Sequence, residues 1–150
     1  MKLFIRQKVF TWRDKFEITD EGGAPRYRVE GEFSFGKKLH VYDNSGAEVA
    51  YVEQKLWHFK PRCEVFPAGG KPFTVVKNLT FLRQSYTIQG TDWSVEGDFM
   101  AHSYEILRGG LPVATVKKEW FTFGDFYTVE IPDPAYELTA LTIVLVIDCA

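Results

Sequence analysis

The sequence predicts a mainly β protein: a closed antiparallel barrel of about twelve strands around a central hydrophobic C-terminal helix. Three observations lead there. A hairpin-like pattern recurs along the chain, the two halves of the chain match one another, and the last stretch, Leu138 to Ile147, carries no charged side chain.

The hairpin pattern is clearest in three places. From Phe10 the chain reads F-T-W-R-D-K-F-E-I, from Trp57 W-H-F-K-P-R-C-E-V, and from Phe121 F-T-F-G-D-F-Y-T-V. A weaker copy, T-F-L-R-Q-S-Y-T-I, starts at Thr80. Alternating apolar residues on either side of a polar or turn-prone centre are the signature of two half-buried strands joined by a tight connection. Large residues hold the same places in the first two copies, apart from the smaller Cys63.

A longer repeat contains these corners. Tyr27-Arg28-Val29-Glu30-Gly31-Glu32-Phe33 matches Trp93-Ser94-Val95-Glu96-Gly97-Asp98-Phe99, and Val49-Ala50-Tyr51-Val52 matches Val113-Ala114-Thr115-Val116. The chain therefore reads as one domain, 1–150, built from half-repeats near 1–67 and 72–131 plus a helix over 134–147. Six short strands are expected in the first half, near 2–12, 14–20, 26–33, 37–43, 47–59 and 62–67. The second half supplies 72–82, 84–90, 92–99, 103–108, 112–123 and 125–131. Turn residues punctuate them at 21–25, 43–46, 67–70 and 108–110.

The last element opens with Asp133 as a helix cap and Pro134 at the first helical position, where its missing N–H costs nothing. The apolar run falls short of the roughly 20 residues of a bilayer-spanning helix, so burial in protein is expected. A central strand competes with this reading, because Thr139, Thr142, Ile143, Val144, Val146 and Ile147 are β-branched. The Asp-Pro start favours the helix. A barrel of this many strands is too wide for its own side chains to fill, and the helix is the natural filler.

Composition excludes several classes. A net charge of -2 argues against a general nucleic-acid binder. Cys63 and Cys149 form no metal or redox spacing, and Met1 to Arg6 holds too short an apolar run for a signal peptide, so free thiols in a reduced, cytoplasmic setting are expected.

The run Val113 to Ile131, VATVKKEWFTFGDFYTVEI, followed by the apolar Ala140 to Asp148 stretch, resembles the LURP-one-related family, also called the YxjI family. Gly36-Lys37-Lys38-Leu39-His40-Val41-Tyr42-Asp43 and Arg6-Gln7-Lys8-Val9-Phe10 fit the same pattern, so the resemblance spans nearly the whole chain. It implies a tubby-like fold, shared with the tubby C-terminal domain and the phospholipid scramblases: a twelve-stranded barrel around a C-terminal helix. Cys63 departs from the family pattern, which usually has an aromatic there. For activity the resemblance implies little. Most bacterial and archaeal members have no assigned reaction, plant members are linked to defence, and the tubby and scramblase relatives act at membranes with phosphoinositides or phospholipids. A fold does not carry its function with it, and the tubby lipid-contacting motif does not align here.

Catalytic constellations are not evident. His40, His58 and His102 lack metal-motif spacing and read as surface or hydrogen-bonded structural residues. Gly69-Gly70-Lys71 lacks the rest of a phosphate loop and reads as a turn, and Cys63 reads as a buried structural thiol. Asp14 and Asp125 sit at matching corners and suit turn residues. Asn78-Leu79-Thr80 has the form of a glycosylation acceptor, which matters only in a secreted protein. Neither enzymatic activity nor any cofactor or metal is expected.

Cations are more informative. Arg13 and Lys15, Lys60 and Arg62, and Arg83 occupy the centres of three of the repeated hairpins. If those corners point alike, the cations gather at one end and suit an anionic phospholipid or a phosphoinositide-like headgroup. Lys118 lies in line with Val116 and Trp120, which places it inside the barrel or at its rim; a one-residue register shift puts Lys117 inward instead. The function expected is a non-enzymatic binding module for anionic membrane surfaces or phosphorylated headgroups. The alternatives are an interior small-ligand binder or enzyme with a cavity beside the helix, and a protein-interaction scaffold.

Overall fold

The computed structural model describes residues 1–8, 15–33, 35–56, 59–78, 85–98, 103–121 and 124–149. Six strands come from the first half: β1 Lys2–Lys8, β2 Lys15–Thr19, β3 Pro25–Phe33, β4 Lys37–Asp43, β5 Glu48–Lys55 and β6 Arg62–Pro67. Six more follow: β7 Phe73–Asn78, β8 Ser85–Ile88, β9 Trp93–Asp98, β10 Ser103–Arg108, β11 Leu111–Phe121 and β12 Gly124–Glu130. A 3-10 turn, Pro134–Tyr136, leads into helix α1, Glu137–Cys149.

Each strand pairs antiparallel with its sequence neighbours, and β12 pairs with β1 from Lys2↔Glu130 to Lys8↔Gly124, which closes the barrel. The matched segments of the two half-repeats lie on β3 and β9 and on β5 and β11, six strands apart. Closure removes free edges, so every strand satisfies its backbone on both sides. Up-and-down order has a further consequence: the chain leaves every odd-numbered strand at one end, here called the mouth, and every even-numbered strand at the other, the base.

Alternate residues turn inward and form the core. Leu3, Ile18, Val29, Val52, Val65, Val95, Val116 and Val129 are all fully buried. Ala140 to Val146 are buried too, so α1 is surrounded on every side. The competing strand reading fails for a physical reason. Inside a closed sheet no strand edge is left to pair with, and only a helix satisfies its own N–H and C=O groups. Thr142, the one polar residue in this stretch, donates its hydroxyl to the Thr139 carbonyl at 2.9 Å. Asp133 caps as expected: its Oδ1 accepts from Ala135 N–H at 3.0 Å, with Pro134 opening the turn.

Several boundaries differ from expectation, among them the helix, expected over 134–147 and found as a 3-10 turn followed by Glu137–Cys149, and β8, which ends at Ile88 rather than 90. β5 stops at Lys55 rather than at 59. Gly124, expected between a strand ending at 123 and one starting at 125, belongs to β12, because Phe121↔Gly124 pairing leaves only 122–123 to connect the strands. Asp125 is accordingly a strand residue, opposite Gln7 and Trp120, and not a turn residue. Lys15 and Arg62 likewise open strands instead of occupying turn centres. Sheet pairing continues for as long as backbone partners exist, and the shortest connection wins. Asp14, His58, His102 and the 80–84 corner lie outside the described residues.

The helix is fastened to the barrel at the base. Glu137, on its first turn and 7% exposed, accepts two hydrogen bonds from Arg26, at 2.7 and 3.1 Å, and one from the Tyr27 hydroxyl. Tyr136 stacks edge-on to Trp93 and accepts from Arg108 at 2.9 Å. Burial, and then the bond to Glu137, hold the Tyr27 phenol well above its ordinary value of 10.0. Above about pH 10 unfolded tyrosine gives up its proton while folded Tyr27 keeps it. The folded state then binds more protons, so stability falls as pH rises. Melting temperature should therefore drop more steeply between about pH 9 and about pH 11 in the wild type than in Tyr27→Phe. Parallel slopes would show that the clasp does not sense this proton.

Candidate functional site

The mouth collects most of the residues singled out by sequence. Lys60 lies in the connection after β5, Arg62 opens β6 and Lys15 opens β2, so all three stand at this end. Arg13 and Arg83 lie outside the described residues. Lys15 is 73% exposed and 3.6 Å from Glu30, which dilutes its charge. Among the described residues Lys60 and Arg62 have no ion-pair partner, and the buried Nε of Arg62 has no hydrogen-bond acceptor. Lys55 sits beside them, 3.5 Å from both Glu53 and Glu64.

Lys118 takes the inward register. It pairs with buried Tyr127, is itself half-buried, and holds its Nζ 5.2 Å from the Tyr127 ring centroid, whereas Lys117 is exposed. The π-face partly replaces the water that the ammonium loses. Two further half-buried lysines share the inward face at this end. Lys37 lies in line with buried Leu39 and Val41, and Lys77 pairs with buried Tyr86. Strand alternation alone was sufficient to find both.

Apolar side chains also stand at the mouth. Phe35, in the connection after β3, is 92% exposed, Phe59 after β5 is 90% exposed, and Leu56 is 40% exposed. Leu56 does not continue the inward face of β5, because that strand has already ended. The two connections touch: a Cβ on Gly36, whose φ is +109°, would lie 3.0 Å from the Gln54 carbonyl oxygen and 3.4 Å from Leu56 Cγ. Phe35 has φ 48°, a left-handed conformation that costs a side chain about 1–2 kcal/mol.

The base has the opposite character. Asp20, Glu21, Asp43, Asp92, Asp133 and Glu137 gather there, and Arg26 and Arg108 are drawn onto Glu137 and Asp92. Asp43 folds its carboxylate back onto its own turn, accepting from Ser45 N–H at 2.8 Å, Ser45 hydroxyl at 2.6 Å and Ala47 N–H at 3.1 Å. The Ser45 hydroxyl bond is the main cause that holds this carboxyl below its ordinary value. The acidic residues thus outnumber the basic ones at the base, while the mouth mixes Lys15, Lys37, Lys55, Lys60, Arg62 and Lys118 with Glu30, Glu32, Glu53, Glu64 and Glu119.

The outer wall carries a ladder that sequence reading missed. Arg28 lies 4.8 Å over Tyr42, and His40 is 6.5 Å from Tyr42 and 5.0 Å from Tyr51, which stacks on Phe66 at 5.9 Å. His40 Nδ1 is 2.7 Å from Glu48 and its Nε2 is 3.5 Å from Glu32. His40 is therefore the hydrogen-bonded structural residue expected of it. A shallow cleft of about 410 Å3 opens there, lined by His40, Glu48, Tyr51 and Phe66. Its one lining carboxylate, Glu48, repels anions, and the cleft opens on the outer wall, not beside the helix as the interior-ligand reading requires. Cys63 is fully buried, as expected of a structural thiol, and Gly69 and Gly70 lie in a turn closed by Gly70 N–H to the Pro67 carbonyl, with Lys71 just after it. Among the described residues no group of His, Cys, Asp and Glu is arranged to hold a metal ion.

A small barrel closed by twelve strands and threaded by its own C-terminal helix defines a distinct class of protein. The LURP-one-related family model matches residues 1–148, and the chain belongs to that family. It is 34% identical over 151 residues to a Bacillus subtilis (strain 168) protein named uncharacterized protein YxjI, covering 97% of this chain and 91% of that one. A crystal structure of an Arabidopsis thaliana protein shares the fold, with a TM-score of 0.62 at 21% identity, over 98% of this chain and 90% of that one.

Proposed function

We propose that this protein is a non-enzymatic module that attaches peripherally to anionic membrane surfaces through the mouth of its barrel. The observation that carries this reading is that Lys15, Lys60 and Arg62 stand together at the mouth, Lys60 and Arg62 without ion-pair partners among the described residues, while the end opposite is richer in carboxylates. Such a distribution orients the molecule in the field of an anionic surface before contact, and each basic residue near that surface contributes about 1 kcal/mol.

The outer wall supports contact by one end rather than insertion of the whole barrel. Glu17, Arg28, Glu30, Lys38, Glu53 and Glu64 alternate outward along it, where a membrane-spanning barrel needs an apolar band. No helix among the described residues is long and apolar enough to cross a membrane. The buried thiol of Cys63 suits the reducing cytoplasm, whose membrane face is anionic.

The test is vesicle flotation with the wild type and a Lys15→Gln/Lys60→Gln/Arg62→Gln variant of equal melting temperature. Wild-type binding should require anionic lipid and weaken with salt, since screening confines the field to about 8 Å at physiological ionic strength. The variant should bind about a hundredfold more weakly at low salt. Equal binding by the two would remove the reading.

A further inference from the structure

We propose that Phe35, Leu56 and Phe59 form an insertion tip that enters the boundary between headgroups and hydrocarbon of an anionic bilayer. Lys37, Lys55, Lys60 and Arg62 stay around it at headgroup level. The inference deepens the reading of the mouth as the membrane-facing end and rests on it.

Four large hydrophobic side chains stand exposed among the described residues, and three of them are these; the fourth, Leu111, is at the base. Isolated exposed apolar residues are ordinary, but three on two touching connections are not. Phe35 adds an independent sign. A phenylalanine at φ 48° is strained, and it has no burial to offset the strain, since 92% of its surface is in water. A strained, bulky and exposed residue persists where a function uses it.

Charge decides what covers the tip. Lys37, Lys55, Lys60 and Arg62 flank it; Lys55 is 3.5 Å from Glu53 and Glu64, whereas Lys60 and Arg62 have no ion-pair partner among the described residues, and the acidic base lies at the far end. This surround complements lipid phosphate and repels a second copy of itself. Area points the same way. Three side chains offer a few hundred Å2, well short of the roughly 800 Å2 per partner of a stable protein interface. Apolar burial at the tip and attraction at the collar act together, which is how amphipathic surfaces bind membranes too weakly held by either alone. A free headgroup in solution would engage the collar only; a bilayer engages both.

The experiment uses phosphatidylcholine vesicles with and without phosphatidylserine and three full-length proteins: wild type, Phe35→Ser/Phe59→Ser, and the Lys15/Lys60/Arg62 glutamine variant. Both changed phenylalanines are solvent-exposed, so equal melting temperatures are expected. The serine variant should bind mixed vesicles at least tenfold more weakly while keeping the wild-type salt dependence, whereas the glutamine variant should lose the salt dependence. In a separate Phe59→Trp protein, the added indole emission should be quenched by lipids brominated near the top of the acyl chains. Wild-type affinity in the serine variant, together with no quenching of the added emission in the Phe59→Trp protein, would overturn the tip and leave the charge-based reading standing. Salt-insensitive wild-type binding to neutral vesicles, lost in the serine variant, would keep the tip and remove the charge-based reading. If sedimentation showed that the serine changes abolish self-association and leave vesicle binding unchanged, the tip would be a contact between copies and the proposal would fall.

Discussion

Changing Val144 to Asp is expected to leave the protein without a cooperative thermal transition. Val144 is 1% exposed and lies midway along a helix that has no polar face, with the barrel wall on every side. A carboxylate there loses its water and gains no partner, which costs several kcal/mol whether it stays charged or takes up a proton. That is a large share of the roughly 5–15 kcal/mol that holds a domain of this kind together. Most single substitutions change stability by far less, so the effect is diagnostic of the enclosed helix. Circular dichroism melting and proteolysis give the readout, with Val144→Leu as the control for volume. A soluble Val144→Asp protein with an unchanged melting temperature would mean that the helix is not enclosed.

Gly97→Ala should destabilise by about 2–4 kcal/mol, an unusually large cost for one methyl group. Gly97 on β9 faces Tyr104 on β10, and a Cβ added to it would lie 2.3 Å from Tyr104 Cβ, 2.4 Å from Tyr104 Cα and 2.7 Å from the Ser103 carbonyl oxygen. Two of those three atoms are backbone, so no rotamer change relieves the clash. Nor can the strands part freely, because Tyr104 is buried and the sheet is closed on itself. A lowered denaturant midpoint with unchanged slope is the expected result. A change within about 0.5 kcal/mol would show that β9 and β10 separate easily at this point.

Much of the architecture could be read from local pattern. Strand alternation located every strand of the barrel, because the two-residue period of a half-buried strand is written along the chain itself. The apolar run beginning at Leu138, with its Asp133-Pro134 start, announced a buried helix, and the VKKEWFTFGDFYTV segment announced the family. The recurrence of Val-Glu-Gly in both halves was equally visible. Its reason at Gly97 was not, since the close approach of Tyr104 is a fact about a neighbouring strand.

Sequence by itself therefore determined where the strands lie along the chain, the enclosed C-terminal helix and the family, since each depends on residues close together along the chain or on a whole-chain pattern. Only the tertiary structure decided how the barrel is polarised. It drew Arg26, Tyr27 and Glu137 into one clasp from positions 111 and 110 residues apart. It also chose the register that turns Lys118 inward over Tyr127, and brought the connections bearing Phe35 and Phe59 into contact beside Lys60 and Arg62. The reason is physical. Periodicity reports which face of a strand is buried, but which strand ends meet in space follows from closure of the barrel, and closure is a property of all twelve strands at once.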